Sequence, residues 1–254
     1  MKRYKVCLEE SHKSAIIRDS KNYDVLVVDS VYNKTDIEKI HKNGCKTVLC
    51  YLNYGMAETD WSDFKKYKSI CIAKNEDWSH EYWVNVTSSI WKQRIKSLVL
   101  NAKVKGFDGV WLDNGDIYWY ILEEKKNKSL ANNIYNAMVE ICKWIKSQNM
   151  ILILNGADTF VSKLIDQKKQ SIIDGVNQET VYSRIKSYSG NGTFGEQCSS
   201  DHSYFKSYCK RCKKYKLLVF LLEYTKSNSL IKRIKNFCTN NKIDGYCISS
   251  SIKL

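Results

Sequence analysis

The fold can be predicted from the stretch Lys105-Gly-Phe-Asp-Gly-Val-Trp-Leu-Asp-Asn-Gly-Asp-Ile-Tyr118, which contains the end of a helix and the strand that follows it. Lys105-Gly106 suits the left-handed conformation that ends a helix, and the apolar run Gly109–Asp113 that follows it predicts a strand. Alternate residues of a strand share a face, so Asp113 lies on the same side as Trp111. The stretch therefore predicts a helix end, a buried strand and then a polar strand end.

The same succession of a helix and a buried strand recurs along the chain. Eight short apolar runs predict strands, and amphipathic segments with helical spacing separate most of them. Strands that are apolar on both faces and joined by helices form parallel sheets, and eight such units in about 250 residues fit a closed (β/α)8 barrel. The predicted strands are Tyr4–Leu8, Val25–Asp29, Thr47–Asn53, Gly109–Asp113, Ile151–Asn155, Gly175–Gln178, Leu217–Glu223 and Gly245–Ser249, and the predicted helices are Asp36–Lys42, Ser88–Lys105, Leu130–Ser147, Phe160–Lys169, Tyr204–Tyr215 and Ser229–Asn241.

This pattern predicts an α/β fold, a single (β/α)8 TIM barrel that occupies residues 1–254 as one domain. A doubly wound open sheet is the alternative, but no Gly-rich phosphate loop follows an early strand. Two connections are long, 54–87 after the third strand and 180–216 after the sixth. Both leave the carboxyl ends of strands, the face on which barrel enzymes build their active sites.

Composition excludes several classes of protein. The chain has 254 residues, 43% of them hydrophobic, so it can bury a core without disulfides or metal. Its apolar runs, about 5–8 residues long, are shorter than the ~20 that a membrane span needs. The formal net charge of +14 is assigned to solvated helix faces, and no nucleic-acid partner is expected. The start Met1-Lys-Arg lacks the apolar core of a signal peptide, which leaves the compartment open.

The cysteine pattern does not predict a metal site. Among ten cysteines the only close pair is Cys209-Lys-Arg-Cys212, with Cys198 and His202 upstream. Zinc sites usually combine two such pairs, and only one is present. Unpaired thiols are the favoured interpretation, with a disulfide from Cys198 to Cys209 or Cys212 as the alternative. We expect neither metal nor cofactor.

Polar residues stand at the carboxyl ends of six predicted strands. In a parallel barrel these ends meet at one rim, where clustered carboxylates in a partly dry pocket destabilise the fold and raise carboxyl pKa values. Such a cluster indicates a functional site. Its members are Asp29, Asn53, Asp113, Asn114, Asn155, Glu179 and Glu223.

Asp113 and Glu179 are the strongest catalytic candidates, because alternation along the fourth and sixth strands points both toward the barrel axis. Glycoside hydrolysis uses two carboxyl groups that face one cavity, about 5 Å apart for retention and about 8 Å apart for inversion. No nucleophile elbow or H-E-x-x-H motif is present, and no histidine ends a strand. The predicted rim also carries aromatic rings, whose apolar faces suit sugars: Tyr51, Tyr54, Trp78, Trp83, Tyr118, Trp119 and Tyr120.

Three segments in this order, Thr47–Glu58, Trp83–Trp91 and Lys105–Tyr118, resemble glycoside hydrolase family 114, which contains endo-α-1,4-polygalactosaminidases. The resemblance continues through Asn155-Gly156, Asp174–Glu179, Phe220–Tyr224 and Gly245-Tyr246, and so covers nearly the whole chain. It implies an endo-acting hydrolase of galactosamine- or N-acetylgalactosamine-containing polysaccharide, with Asp113 and Glu179 as the catalytic pair. Relatives of this kind are often secreted. The resemblance also implies that the sugar site includes Asp29, Glu58, Asn114, Asp116, Asn155 and Tyr224.

Alternatives stay open at this stage. The aromatic rim would also suit a catalytically inactive carbohydrate-binding barrel, and the acidic cluster could bind a divalent cation, although no phosphate cradle accompanies it. A cationic galactosamine polymer would be repelled at long range by a chain of +14. Either the acidic rim attracts it locally, or the substrate is neutral, acetylated or anionic. We expect a monomer that binds a polysaccharide or an oligosaccharide.

Overall fold

The computed structural model describes all 254 residues, Met1–Leu254. Eight parallel strands form the barrel: β1 (Lys2–Cys7), β2 (Val25–Val28), β3 (Thr47–Asn53), β7 (Gly109–Asp113), β8 (Ile151–Asn155), β9 (Gly175–Glu179), β12 (Leu218–Tyr224) and β13 (Gly245–Ser249). They pair in this order, and β13 closes the barrel on β1. The prediction of a (β/α)8 TIM barrel is confirmed, and each predicted strand corresponds to one of the eight.

The helices lie in the connections between the barrel strands. The first turn of α2 (Lys34–Lys42) is fixed by a reciprocal pair of hydrogen bonds in which the Asn33 side chain accepts from the Asp36 N–H and the Asp36 side chain accepts from the Asn33 N–H. None of the helices is both long and apolar enough to cross a membrane. The helices are α1 (Lys13–Asp19), α2 (Lys34–Lys42), α3 (Ser89–Val104), α4 (Ile117–Trp119), α5 (Lys128–Ser147), α6 (Asp158–Asp166), α7 (Ser199–Lys214) and α8 (Asn228–Asn240).

The long connections carry small sheets of their own. After β3 the chain forms a three-stranded antiparallel sheet of β4 (Met56–Glu58), β5 (Cys71–Lys74) and β6 (Glu81–Val84), and after β9 a hairpin of β10 (Ser183–Ser187) and β11 (Thr193–Glu196). β3 and β9 are three strands apart around the barrel. The two long connections, which we call the excursions after β3 and after β9, nevertheless contact each other, because the Trp78 and Tyr188 rings lie 5.3 Å apart edge to face. They therefore reach toward each other across the barrel mouth.

The core has two apolar layers, one inside the barrel and one between the barrel and the helices. Strand alternation explains both. In β2, Val25 and Val27 belong to the inner layer, whereas Leu26 and Val28 belong to the outer one. Because both faces of each strand are covered, the strands appear in the sequence as continuous apolar runs.

Candidate active site

A cavity of about 980 Å³ opens at the carboxyl ends of the barrel strands. Ten of its lining residues are Asp or Glu, and only two, Arg94 and Lys253, are Arg or Lys. The cavity is therefore acidic although the chain as a whole is strongly basic.

Asp113, the last residue of β7, lies in this cavity and is held by three donors. Its Oδ1 accepts hydrogen bonds from Asn155 Nδ2 at 2.6 Å and from the Asn114 N–H at 2.8 Å, and its Oδ2 accepts from the Tyr51 hydroxyl at 2.9 Å. Burial raises the pKa of Asp113, and these three hydrogen bonds oppose the rise. The carboxylate is thus fixed in one orientation and stabilised in its charged form.

Glu179, the last residue of β9, stands beside Asp113 and has two donors. Its Oε1 accepts from Asn155 Nδ2 at 2.7 Å, and its Oε2 accepts from the Tyr224 hydroxyl at 2.8 Å. Burial and then the negative charge of Asp113 raise the pKa of Glu179 to about 7. Near neutral pH this side chain is therefore protonated in a large share of the molecules.

Asn155 links the two acids. Its side-chain nitrogen donates to both, at 2.6 Å to Asp113 Oδ1 and at 2.7 Å to Glu179 Oε1. Because both bonds share one nitrogen, the two oxygens can be no farther apart than the sum of 2.6 and 2.7 Å, which is compatible with the ~5 Å carboxyl separation of retaining glycosidases and shorter than the ~6.5 Å at which the range for inversion begins.

The turn after Asp113 joins β7 to the excursion after β3. Asn114 has a φ of 58°, a conformation that asparagine tolerates better than most residues. A Cβ atom at Gly55 would overlap the Asn114 carbonyl oxygen, so this approach requires glycine. The Asn114 side chain donates to Asn53 Oδ1 at 2.9 Å, and Asn53 Nδ2 donates to Glu58 Oε1 at 3.1 Å. These contacts hold Glu58 in the cavity, within reach of the charge of Asp113.

Most of the residues predicted for the sugar site line the same cavity as Asp113 and Glu179. Trp83 is one of them, although its ring is stacked on Tyr120 at 4.6 Å, so that one face is already covered. The predicted residues that line the cavity are Asp29, Tyr51, Asn53, Glu58, Trp83, Asn114, Asp116, Asn155 and Tyr224.

The structure does not bring Glu223, predicted for the sugar site, into the cavity. β12 continues to Tyr224, and because Leu222 and Tyr224 face the barrel interior, Glu223 faces outward. Its side chain is 0% exposed and accepts hydrogen bonds from the Tyr182 N–H and from both the N–H and the hydroxyl of Ser183. Glu223 thus holds the turn that follows Glu179.

Tyr118, also predicted for the sugar site, likewise does not line the cavity. Tyr118 lies in α4, is only 4% exposed, and has its ring 5.7 Å from that of Tyr135. Its hydroxyl accepts a hydrogen bond from Lys163 at 3.0 Å. The side chain packs in the helical layer because the helix that begins at Ile117 turns it away from the cavity.

The sequence interpretation missed Glu81 as a site residue. It lies on β6 directly opposite Glu58 on β4, and both line the cavity. Burial, the charge of Asp113 and the charge of Glu58 raise the pKa of Glu81 to about 8. Glu81 and Trp83 are two residues apart and line the same cavity, so alternation would have indicated Glu81 had β6 been recognised as a strand.

All ten cysteines are free thiols. Cys198 is exposed just before α7, whereas Cys209 and Cys212 are buried within that helix, so neither disulfide considered for this group is present. Burial raises the pKa of Cys212 to about 12. A thiol this protonated is a poor nucleophile and a poor metal ligand.

Glu223 should make the folded protein less stable as pH rises from acidic to neutral, the opposite of the effect of a carboxylate in an ion pair. Burial raises its pKa to about 7 against the opposing hydrogen bonds from Ser183 and Tyr182. A carboxyl whose pKa is higher in the folded than in the unfolded state stabilises the fold fully below the unfolded pKa of about 4.5. This contribution, at most about 4 kcal/mol, is lost as pH rises through the folded pKa of about 7. We expect Glu223→Gln to cost more stability at pH 5 than at pH 8, as measured by urea unfolding.

Glu140→Gln is the matched control for this experiment. Lys92 donates to Glu140 and lowers its pKa, so its contribution is present above the unfolded pKa and is lost as pH falls. Its loss should therefore cost less at acidic than at neutral pH. Equal destabilisation by Glu223→Gln at both pH values would contradict the assignment.

The profile of glycoside-hydrolase family GH114 matches residues 2–250. Among curated proteins, an uncharacterized protein of Methanocaldococcus jannaschii is 23% identical over 245 residues, which cover 89% of this chain and 68% of the relative. Among solved structures, the glycoside hydrolase domain of PelA from Pseudomonas aeruginosa has a TM-score of 0.80 at 12% identity, covering 99% of this chain and 96% of that one. Aspergillus fumigatus Ega3 in complex with galactosamine has a TM-score of 0.70 at 18% identity, covering 98% and 90%.

At these identities the two structures support the barrel fold, whereas the family match extends from β1 to β13 and includes every strand end in the cavity. The chain belongs to glycoside hydrolase family GH114 and is a glycosidase.

Proposed function

We propose that this glycosidase cleaves galactosamine-containing polysaccharide within the chain and with retention of anomeric configuration. Asp113 is the nucleophile, and Glu179 is the general acid and base. The observation that carries the proposal is the Asn155 amide, which donates to both carboxyl groups and brings them within the distance that a double displacement needs.

The reaction has two steps. In the first, an Asp113 oxygen attacks the anomeric carbon, the glycosidic C–O bond breaks, and the departing oxygen takes the proton of Glu179. In the second, Glu179 removes a proton from a water molecule, whose oxygen attacks the same carbon and releases Asp113. Glu179 ends protonated and Asp113 ionised, so both are ready for the next cycle.

The environments of the two acids support these roles. Three donors stabilise a charge on Asp113, and two donors contact Glu179, which also faces the charge of Asp113. One proton shared by such a pair resides on the group that is harder to ionise. Glu179 therefore holds the proton that the leaving oxygen needs.

The charge of the cavity supports a cationic substrate. Glu58 and Glu81 are directly opposite each other on adjacent antiparallel strands, and burial raises the pKa of both, so ionising both in the free protein costs free energy because like charges repel. A sugar ammonium group placed between them would relieve this repulsion and favour the charged form of both. The ionised acids of the cavity would attract a cationic polymer locally, although the chain as a whole is basic. The structural relative Ega3 was solved with galactosamine.

The test is release of reducing ends from four polysaccharides: polygalactosamine, poly-N-acetylgalactosamine, a neutral polymer and an acidic polymer. We expect release from the first, with products of several lengths at early times because cleavage is internal. Glu179→Gln should give none. Absence of release from all four polymers would contradict the proposed substrate class.

The pH dependence of turnover should follow the same pair. Glu179 must be protonated in the first step, and its pKa is about 7, so kcat should fall as pH rises past about 7. Asp113 must be ionised, so kcat should also fall in acid. With an aryl glycoside whose leaving group needs no proton, the alkaline fall should shrink. An unchanged alkaline limb with that substrate would contradict the role of Glu179.

A further inference from the structure

A chain of hydrogen bonds crosses the barrel interior beneath the two acids. The Trp111 indole N–H donates to the Tyr4 hydroxyl at 3.1 Å, and that hydroxyl donates to Asn177 Oδ1 at 3.1 Å. Asn177 Nδ2 then donates to Asn155 Oδ1 at 2.7 Å. We call Trp111, Tyr4 and Asn177 the interior relay. All three side chains are 1% to 4% exposed, so water does not compete for these bonds.

Trp111, at one end of the relay, determines which group donates and which accepts in each of these hydrogen bonds. An indole nitrogen can only donate, so the Tyr4 oxygen must accept from Trp111 and turn its own proton to the next residue. Asn177 consequently presents its oxygen to Tyr4 and its nitrogen to Asn155. Asn155 must then accept through its oxygen, which leaves its two N–H bonds directed at the carboxyl groups above.

The opposite orientation of Asn155 would be harmful. An amide has one donor side and one acceptor side, and rotation by half a turn would place its oxygen against the two carboxyl groups. The hydrogen bond from Asn177 is the only one that the Asn155 side-chain oxygen accepts. Without it, nothing below Asn155 distinguishes the two orientations.

We propose that the interior relay positions the Asn155 amide so that both of its N–H bonds serve the catalytic pair. The relay residues are positioning residues, because none of them is hydrogen-bonded to Asp113 or Glu179 and they act through Asn155. This inference rests on the proposed roles of Asp113 and Glu179. It extends the functional unit from the rim of the barrel to Tyr4 on β1 and Trp111 on β7.

The variants follow the order of the relay. Tyr4→Phe removes one oxygen and keeps the ring, Asn177→Leu removes both polar groups beside Asn155, and Trp111→Phe removes the first donor together with part of a buried ring. Loss of the Asn155 orientation withdraws a donor from both carboxyl groups and raises the pKa of each. We expect both limbs of the pH profile of kcat to move to higher pH, by about one unit in Asn177→Leu and Tyr4→Phe and by less in Trp111→Phe.

Tyr32→Phe is the matched control. Tyr32 is 1% exposed and its hydroxyl has no hydrogen-bond partner, so this variant also removes a buried hydroxyl, outside the relay. It should leave both limbs in place. Unchanged limbs in Tyr4→Phe and Asn177→Leu, even with a lower kcat, would show a merely structural role. An equal shift of both limbs in Tyr32→Phe would likewise show that the effect of the relay variants is merely structural.

A second measurement separates this inference from the proposed function. Carbon-13 NMR of labelled carboxyl groups gives the titration of Asp113 and Glu179 without any substrate. Higher titration midpoints in Tyr4→Phe than in the native protein support the relay even if no polymer is cleaved, and identical midpoints overturn it even if one is. Absence of cleavage by the native protein would count against the substrate alone.

Discussion

Replacement of Asp113 by asparagine is expected to lower kcat on a galactosamine polymer by about 10⁴-fold or more, since loss of a nucleophile removes the covalent pathway. Asparagine has the same shape but cannot form the glycosyl ester. Reducing-end release under saturating polymer measures the effect. Asp60→Asn, at an exposed position outside the cavity lining, is the matched control and should retain native activity. A residual rate above about one tenth of native would contradict the role of Asp113.

Azide separates the two acids by role. In Asp113→Ala, azide can occupy the vacated space and attack an activated aryl glycoside directly, which gives a glycosyl azide of inverted configuration. In Glu179→Ala the ester on Asp113 still forms, and azide then displaces Asp113 to give the retained configuration. Proton NMR of the product distinguishes the two. The reverse result would exchange the roles of Asp113 and Glu179.

Strand alternation explains how much of this site the sequence could predict. Gly109–Asp113 and Ile151–Asn155 were predicted with the observed bounds, because each is an apolar run that begins after a helix end and stops at a polar residue. The same alternation placed Asp113 and Glu179 inside the barrel. Applied to β12 it would have excluded Glu223, since Leu222 and Glu223 cannot face the same side.

The excursions were harder to predict for a physical reason. β6 contains only Glu81–Val84, and its pairing partners lie in the same irregular connection, so no helix follows to mark it as a barrel strand. Its function in the cavity depends on a partner strand, and the sequence does not show which strands pair. The contacts of Asn155 were hidden for a related reason. From sequence alone, an amide at a strand end predicts only a cap for the following loop, because the residues that it contacts inside the barrel belong to other strands.

N-acetylation of the substrate is expected to lower kcat/KM by about 100-fold relative to the free amine polymer, because one or two ammonium groups bound to carboxylates contribute about 1.5–3 kcal/mol each. Acetylation removes the positive charge and adds bulk between Glu58 and Glu81. Competing reactions of polymers with graded acetylation measure the preference, and added salt should weaken it.

Glu81→Gln tests which carboxylates produce this preference. The variant removes the carboxylate that a bound ammonium group would keep ionised, while Asp113 and Glu179 keep their hydrogen bonds, so the preference for the amine polymer should fall by about tenfold. Glu124→Gln, an exposed acid outside the cavity lining, is the matched control and should change nothing. An equal preference in the native protein and in Glu81→Gln would mean that the ammonium group binds elsewhere, closer to Asp116 and Asp29. Above about pH 8, where Glu81 is ionised opposite Glu58 on the adjacent strand, Glu81→Gln also removes a repulsion in the free protein, so there it should be the more stable protein as well as the less selective enzyme.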